Sequence, residues 1–155
     1  MDKVPITREG LEKLKQELHI ILTGERPRNI KAIEEARSHG DLNENAEYHA
    51  AKERQSFLEA KINELEMAIN RSEVIEIDNE QTEKIFFGKR VELRNIINNQ
   101  NIVYQLVGPY ESDPENGKIS VTSPLGKALI GKEEGDTIKV KTPTGVQEFE
   151  ILEIK

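Results

Sequence analysis

Two carboxylates, Asp41 and Glu44, lie three residues apart in the stretch Gly40-Asp41-Leu42-Asn43-Glu44-Asn45-Ala46-Glu47-Tyr48. Two chemistries suit such a pair. As an N-cap, Asp41 would accept a backbone N–H while Glu44 completed a capping box, both acids favouring the positive end of a helix. Alternatively, both are hard oxygen ligands for a divalent cation, and then they form an incomplete site, because Mg²⁺ keeps several waters and needs further ligands. An incomplete site is useful where another macromolecule supplies the remaining ligands and a substrate phosphate, as in two-metal phosphoryl chemistry.

The flanking sequence describes what would carry these acids. Leu11, Leu14, Leu18 and Ile21 recur at steps of three and four on one side, and Leu58, Ile62, Leu65 and Ile69 do so on the other. That periodicity predicts two helices burying stripes on each other. Pairing Leu14 with Ile69, Leu18 with Leu65 and Ile21 with Ile62 puts the fold-back between residues 41 and 42, so the acids fall at the tip. Arms of about 30 residues at a rise of roughly 1.5 Å each give a hairpin about 45 Å long, expected to protrude as a rod. Its distal half relies on Ala32, Ala36, Ala46, Ala50 and Ala51 with Ile33, which predicts close helix approach and a tip slender enough for a narrow opening. Thr7 is the expected N-cap of the first helix, although Gly10 occupies the position where a capping box wants Glu or Gln. Pro27 predicts a kink or break, Gly40 a left-handed cap, and Asp41 the start of a second helix reaching about Ile69.

From Val74 onward the pattern changes to short β-type runs: Val74 to Ile77, Ile85 to Phe87, Val91 to Leu93, Ile102 to Val107, Ile119 to Val121, Thr137 to Val140 and Val146 to Ile154. Asp113 to Gly117 and Thr142 to Gly145 read as turns, and Ser123-Pro124 as the start of a short helix over Leu125 to Ile130. The reading is an α+β chain with an N-terminal antiparallel coiled-coil helical hairpin over residues 1–75 and a β-sheet domain with a short helix over 76–155. Asp78 to Lys84 is its expected polar connection.

Composition narrows the functional classes. A formal net charge of -7 argues against broad nonspecific binding to DNA or membrane. Without cysteine there is neither a disulfide framework nor a thiolate metal site. No apolar run approaches the roughly 20 residues that cross a bilayer, and no basic start with an apolar run follows Met1, so the chain reads as intracellular, with a cytoplasmic location expected. Arg26, Arg28, Lys31, Arg37, His39, Lys52 and Arg54 mark the distal arm, interleaved with Glu25, Glu34, Glu35, Glu47, Glu53 and Glu59. Either a basic face or an ordinary solvated helix surface fits that pattern. His39, Tyr48 and His49 could contact RNA near the tip or serve as surface and packing residues. No glycine-rich phosphate loop or nucleophile motif points to an independent active site.

Residues 40 to 51, Gly-Asp-Leu-Asn-Glu-Asn-Ala-Glu-Tyr-His-Ala-Ala, closely resemble the signature of the Gre family of bacterial transcript cleavage factors. The resemblance extends from Pro5-Ile6-Thr7 through Ile33-Glu34-Glu35-Ala36-Arg37 to the run Val121 to Glu133, covering essentially the whole chain. It implies a coiled-coil hairpin that enters the secondary channel of bacterial RNA polymerase, and an FKBP-like C-terminal domain that docks near the channel rim. In that implied role Asp41 and Glu44 help hold the second Mg²⁺, shared with the polymerase active site, and orient the attacking water. The polymerase then cleaves the nascent RNA 3′ end of a backtracked complex and remains the enzyme, the factor contributing no cofactor of its own and acting as a monomer. Arg37 and Lys52 fall where the family places basic residues that contact RNA. The mixed charge of the distal arm fits the branch of the family without a broad basic face. Two competing expectations are a channel-binding inhibitor without cleavage activity and an FKBP-like prolyl isomerase; sparse aromatics and no tryptophan weigh against an aromatic-lined proline pocket.

Overall fold

The computed structural model describes residues 2–77 and 83–155. Contacts divide the chain into Leu11–Arg71 and a second unit made of the described residues of Met1–Gly10 and Ser72–Lys155. The first ten residues thus pack with the sheet unit. Most of the expected connection, residues 78–82, lies outside the described residues.

In the helical unit, α1 (Arg8–Ile20) runs into a π-helical turn at Ile21–Glu25 and on into α2 (Arg26–Arg37). The turn is marked by the Arg26 N–H donating to the Ile21 carbonyl, five residues back, with Ile20, Glu25 and Arg26 all keeping right-handed helical dihedrals. Pro27 follows at once. Proline lacks an N–H and its ring crowds the carbonyl four residues earlier, so a widened turn in front of it accommodates the ring where a break was expected.

Helix α3 (Ala46–Arg71) returns along the first arm, and the midpoint between Arg37 and Ala46 falls between residues 41 and 42, as the apolar register requires. Ile21, Leu58, Ile62 and Leu65 form the buried proximal seam, with Leu14, Leu18 and Leu22 packed against it. The distal seam uses Ile33, Ala36 and Ala51, whereas Ala32, Ala46 and Ala50 are exposed. Asn29 also lies in this seam, where its side-chain amide donates to the Ala51 carbonyl (3.0 Å). A buried amide needs such a partner, since leaving it unpaired costs about 1–3 kcal/mol.

The sheet unit begins with a two-stranded parallel pair, β1 (Val4–Ile6) and β2 (Ser72–Val74), in place of a strand over Val74 to Ile77. Its main sheet has the order β5-β4-β3-β7-β6, built from β3 (Arg90–Asn95), β4 (Asn101–Val107), β5 (Lys118–Ser120), β6 (Thr137–Thr142) and β7 (Gly145–Ile154). Only the β4–β5 pairing in it is parallel among the described residues. Ile85 to Phe87 forms no strand; Lys84 makes an isolated bridge to Glu133, and Ile85 exchanges backbone bonds with Lys132 and Gly131.

Val91, Leu93, Leu106, Ile138, Val140, Phe149, Ile151 and Ile154 face one core with Ile85 and Leu129. Phe149 and Ile151 keep the two-residue period of β7, but Ile154 breaks it. A register shift between Glu92 and Leu93 pairs Leu93 with Ile151 and Glu92 with Glu153, leaving Leu152 as an extra residue that returns Ile154 to the core side. Helix α4 (Pro124–Leu129) has the expected cap, Ser123 Oγ accepting the Gly126 N–H (3.1 Å).

The start of α1 shows how the incomplete capping box is resolved. Thr7 Oγ1 accepts the Gly10 N–H (3.0 Å), while the task of the absent Glu at position 10 falls to Glu111. Glu111 Oε2 accepts the Thr7 N–H (3.0 Å) and the Gly108 N–H (2.9 Å), and Oε1 accepts the Thr7 hydroxyl. A Cβ on Gly10 would lie 2.1 Å from Glu111 Oε1, so glycine there clears the space for the distant carboxylate.

Candidate functional site at the hairpin tip

Helix α2 closes with Ser38, whose hydroxyl donates to the Glu35 carbonyl (2.6 Å), and Gly40 turns the chain with a φ of +114° that disfavours any side chain. Asp41 follows in an exposed loop. Its Oδ1 accepts the Asn43 N–H (3.0 Å) in a short local turn, and the second helix does not start there.

The cap of α3 is Asn45. Its Oδ1 accepts the Tyr48 N–H (3.0 Å), its carbonyl accepts the His49 N–H (3.1 Å), and its amide donates across the hairpin to the Ala36 carbonyl (2.6 Å). This corrects the expectation that Asp41 and Glu44 form the capping box. Asp41 is four residues too early, and it is Asn45 that hydrogen-bonds the start of α3 to the end of α2. Replacing Asn45 by Ala is expected to lower hairpin stability by about 1–2 kcal/mol, checked by urea denaturation followed by helical circular dichroism.

Glu44 is exposed and makes no hydrogen bond or ion pair among the described residues. With Asp41 it borders a shallow open depression whose other lining residues are His39, Asn45, Ala46 and Glu47. No group of three or more His, Cys, Asp or Glu side chains among the described residues is arranged to hold a metal ion. The donor set is therefore two exposed carboxylates, Asp41 Oδ1 already accepting one backbone N–H, which suits a cation shared with another ligand source and not one held by this chain alone.

Arg37 and Lys52 are exposed on the two helices flanking the tip, and each has a local partner. The Arg37 guanidinium lies 6.0 Å from the Tyr48 ring centre, and Lys52 Nζ donates to Gln55 Oε1 (3.0 Å). Farther down the arm Arg26 pairs with Glu59 (3.6 Å) and Arg54 with Glu25 (3.4 Å), so those cations are partly balanced across the hairpin. The tip also contains a contact the sequence did not reveal: His49 Nε2 meets the Asn43 carbonyl (3.2 Å), with the Tyr48 and His49 rings edge to face at 5.8 Å.

The sheet unit has an apolar cleft of its own, lined by Pro5, Ile75, Phe86, Phe87, Val121, Ile130 and the stem of Lys127. No helix among the described residues is long and apolar enough to cross a membrane.

Comparison with known proteins gives a family match for each half of the sequence. Residues 4–74 match the family model described as transcription elongation factor, N-terminal, and residues 80–155 match that of transcription elongation factor, GreA/GreB, C-term. The transcription elongation factor GreA of Syntrophobacter fumaroxidans is 51% identical over 155 residues, covering 100% of this chain and 99% of the relative. That of Bartonella tribocorum is 52% identical over 155 residues with the same coverage. Among solved structures, the GreA factor homolog Gfh1 of Thermus thermophilus is 31% identical, covers 99% of both chains and aligns with a TM-score of 0.44. With both halves matched and half of all residues shared with named relatives along its whole length, the chain belongs to the GreA/GreB family of transcription elongation factors.

Proposed function

We propose that this factor binds bacterial RNA polymerase in the cytoplasm, as a monomer, and stimulates the polymerase's own cleavage of the RNA 3′ end in backtracked complexes. The observation that carries the reading is the state of the two acids: both are exposed in the loop joining two packed helices, and Asn45 relieves them of any capping duty. Such carboxylates are available to a reaction centre outside the chain.

In this mechanism the polymerase is the enzyme and this chain has no active site of its own. The hairpin enters the secondary channel, and the sheet unit docks at its rim. Asp41 and Glu44 offer oxygen ligands toward the second Mg²⁺ and accept hydrogen bonds from the attacking water, fixing its direction toward the scissile phosphate. When bound, Mg²⁺ makes that water more acidic and offsets charge developing on the phosphate. Arg37 and Lys52 contact phosphates of the displaced RNA; a lysine there acts as a point charge without the bidentate fork of arginine.

The deciding experiment is cleavage of a stalled, backtracked transcript at limiting Mg²⁺, with and without this protein. The expected result is faster release of short RNA from the 3′ end. Slower elongation with no new 3′ ends would establish channel blocking in its place.

A further inference from the structure

We infer that His49 is a positioning residue for the acid pair, clasping the tip loop through the backbone of Asn43. The inference rests on the functional reading above and adds a residue to it. Asn43 is held on both sides of its α-carbon: its N–H donates to Asp41 Oδ1 (3.0 Å), and its carbonyl meets His49 Nε2 (3.2 Å). A carbonyl can only accept, so Nε2 carries the hydrogen.

The imidazole is well placed for this duty. His49 stands in the first turn of α3, its N–H already bonded to the Asn45 carbonyl (3.1 Å), so its backbone is fixed by the helix and not by the loop. The Tyr48 ring meets it edge to face at 5.8 Å, and Arg37 from α2 lies 6.0 Å from the Tyr48 ring centre. A line of contacts therefore runs from α2 through Arg37, Tyr48, His49 and Asn43 to the Asp41 carboxylate. An exposed loop would otherwise have to be ordered when it meets its target, and a pre-ordered carboxylate avoids that entropic cost. His49 touches no reacting atom in this scheme; it acts through Asp41.

The test uses the full chain with His49→Ala and His49→Gln, alongside the Asp41→Asn, Glu44→Gln double variant, in transcript cleavage over a Mg²⁺ titration. His49→Ala is expected to cleave about 10-fold more slowly at limiting Mg²⁺ with unchanged polymerase affinity, and His49→Gln, whose amide N–H can reach the same carbonyl, to recover to within about twofold. A general packing defect would not be relieved by added Mg²⁺ or by glutamine. In the free protein, long-range ¹H–¹⁵N spectra should show the Nε2–H tautomer or the imidazolium at His49.

Wild-type rates for His49→Ala, glutamine no better than alanine, or an Nδ1–H tautomer would overturn the assignment. If the double acid variant also cleaves at the wild-type rate, the functional reading itself has failed. Should His49→Ala lose its helical circular dichroism, the glutamine variant and the tautomer decide.

Discussion

Asp41→Asn with Glu44→Gln abolishes stimulated cleavage and leaves polymerase binding and folding intact: this is the largest functional effect expected of any change at the tip. Amides match carboxylates in size, and an asparagine at 41 retains the oxygen that accepts the Asn43 N–H. Neither substitution touches the Asn45 cap or the seam residues Ile33, Ala36 and Ala51. The change in stability should thus stay within about 0.5 kcal/mol, the range of surface substitutions. What disappears is the negative charge that, on the proposed function, would hold a cation and a water. A loss of about 3 kcal/mol of transition-state stabilisation corresponds to roughly a hundredfold slower cleavage. Single-turnover cleavage of a stalled complex measures the rate, and competition against the wild-type factor measures binding. Undiminished cleavage would refute the assignment.

The largest structural effect is expected at Gly108. Its backbone, with φ of -80° and ψ of 168°, is one that any residue adopts, so alanine meets no dihedral strain. The obstacle is space: a Cβ at 108 would stand 1.8 Å from the Pro5 carbonyl oxygen and 2.8 Å from its carbon. Backbone atoms cannot swing aside as a side chain can. Making room means parting β1 from the 3₁₀ turn at Pro109–Glu111, and that also disturbs the Glu111 bonds to Thr7 and Gly108. Gly108→Ala should destabilise the sheet unit by about 3 kcal/mol, the upper part of the range for overpacking. Gly131 is the useful contrast, because its φ is +81° but a Cβ there would meet nothing within 4 Å. Alanine at 131 should cost only the left-handed penalty of about 1–2 kcal/mol. Urea midpoints for the two variants check both figures, and equal midpoints would show the close approach at Gly108 to be unimportant.

Interactions between near neighbours leave a mark in the sequence that long-range ones do not. Leu14, Leu18, Leu58, Ile62 and Leu65 declare the helices because periodic burial is written into neighbouring residues, and Ser123-Pro124 declares α4 because a cap is local too. The pair β1 and β2 was invisible for the opposite reason: three residues alone carry no period, and Val4 meets Ser72 only after the hairpin has returned. Asp41 and Asn45 are both good caps by residue type. What favours Asn45 is its second bond, to the Ala36 carbonyl on α2, which exists only after the helices pack. Asn29 is polar and carries no periodic signal, yet the Ala51 carbonyl supplies the partner that makes its burial tolerable. The role of Glu111 at Thr7 has no local signature, because the box it completes is shared between distant segments. The position of Asp41 and Glu44 in the loop between the helices was legible from the apolar register, whereas the His49 contact depends on a loop conformation that no spacing encodes.

The placement of the cap at Asn45 has an evolutionary corollary. Because neither acid is needed to start a helix, mutation at 41 and 44 is nearly invisible to selection for folding. A descendant can trade both acids for neutral residues and inherit an unaltered scaffold, becoming a silent occupant of the same berth. On the proposed function, only the cleavage reaction would select for keeping the pair.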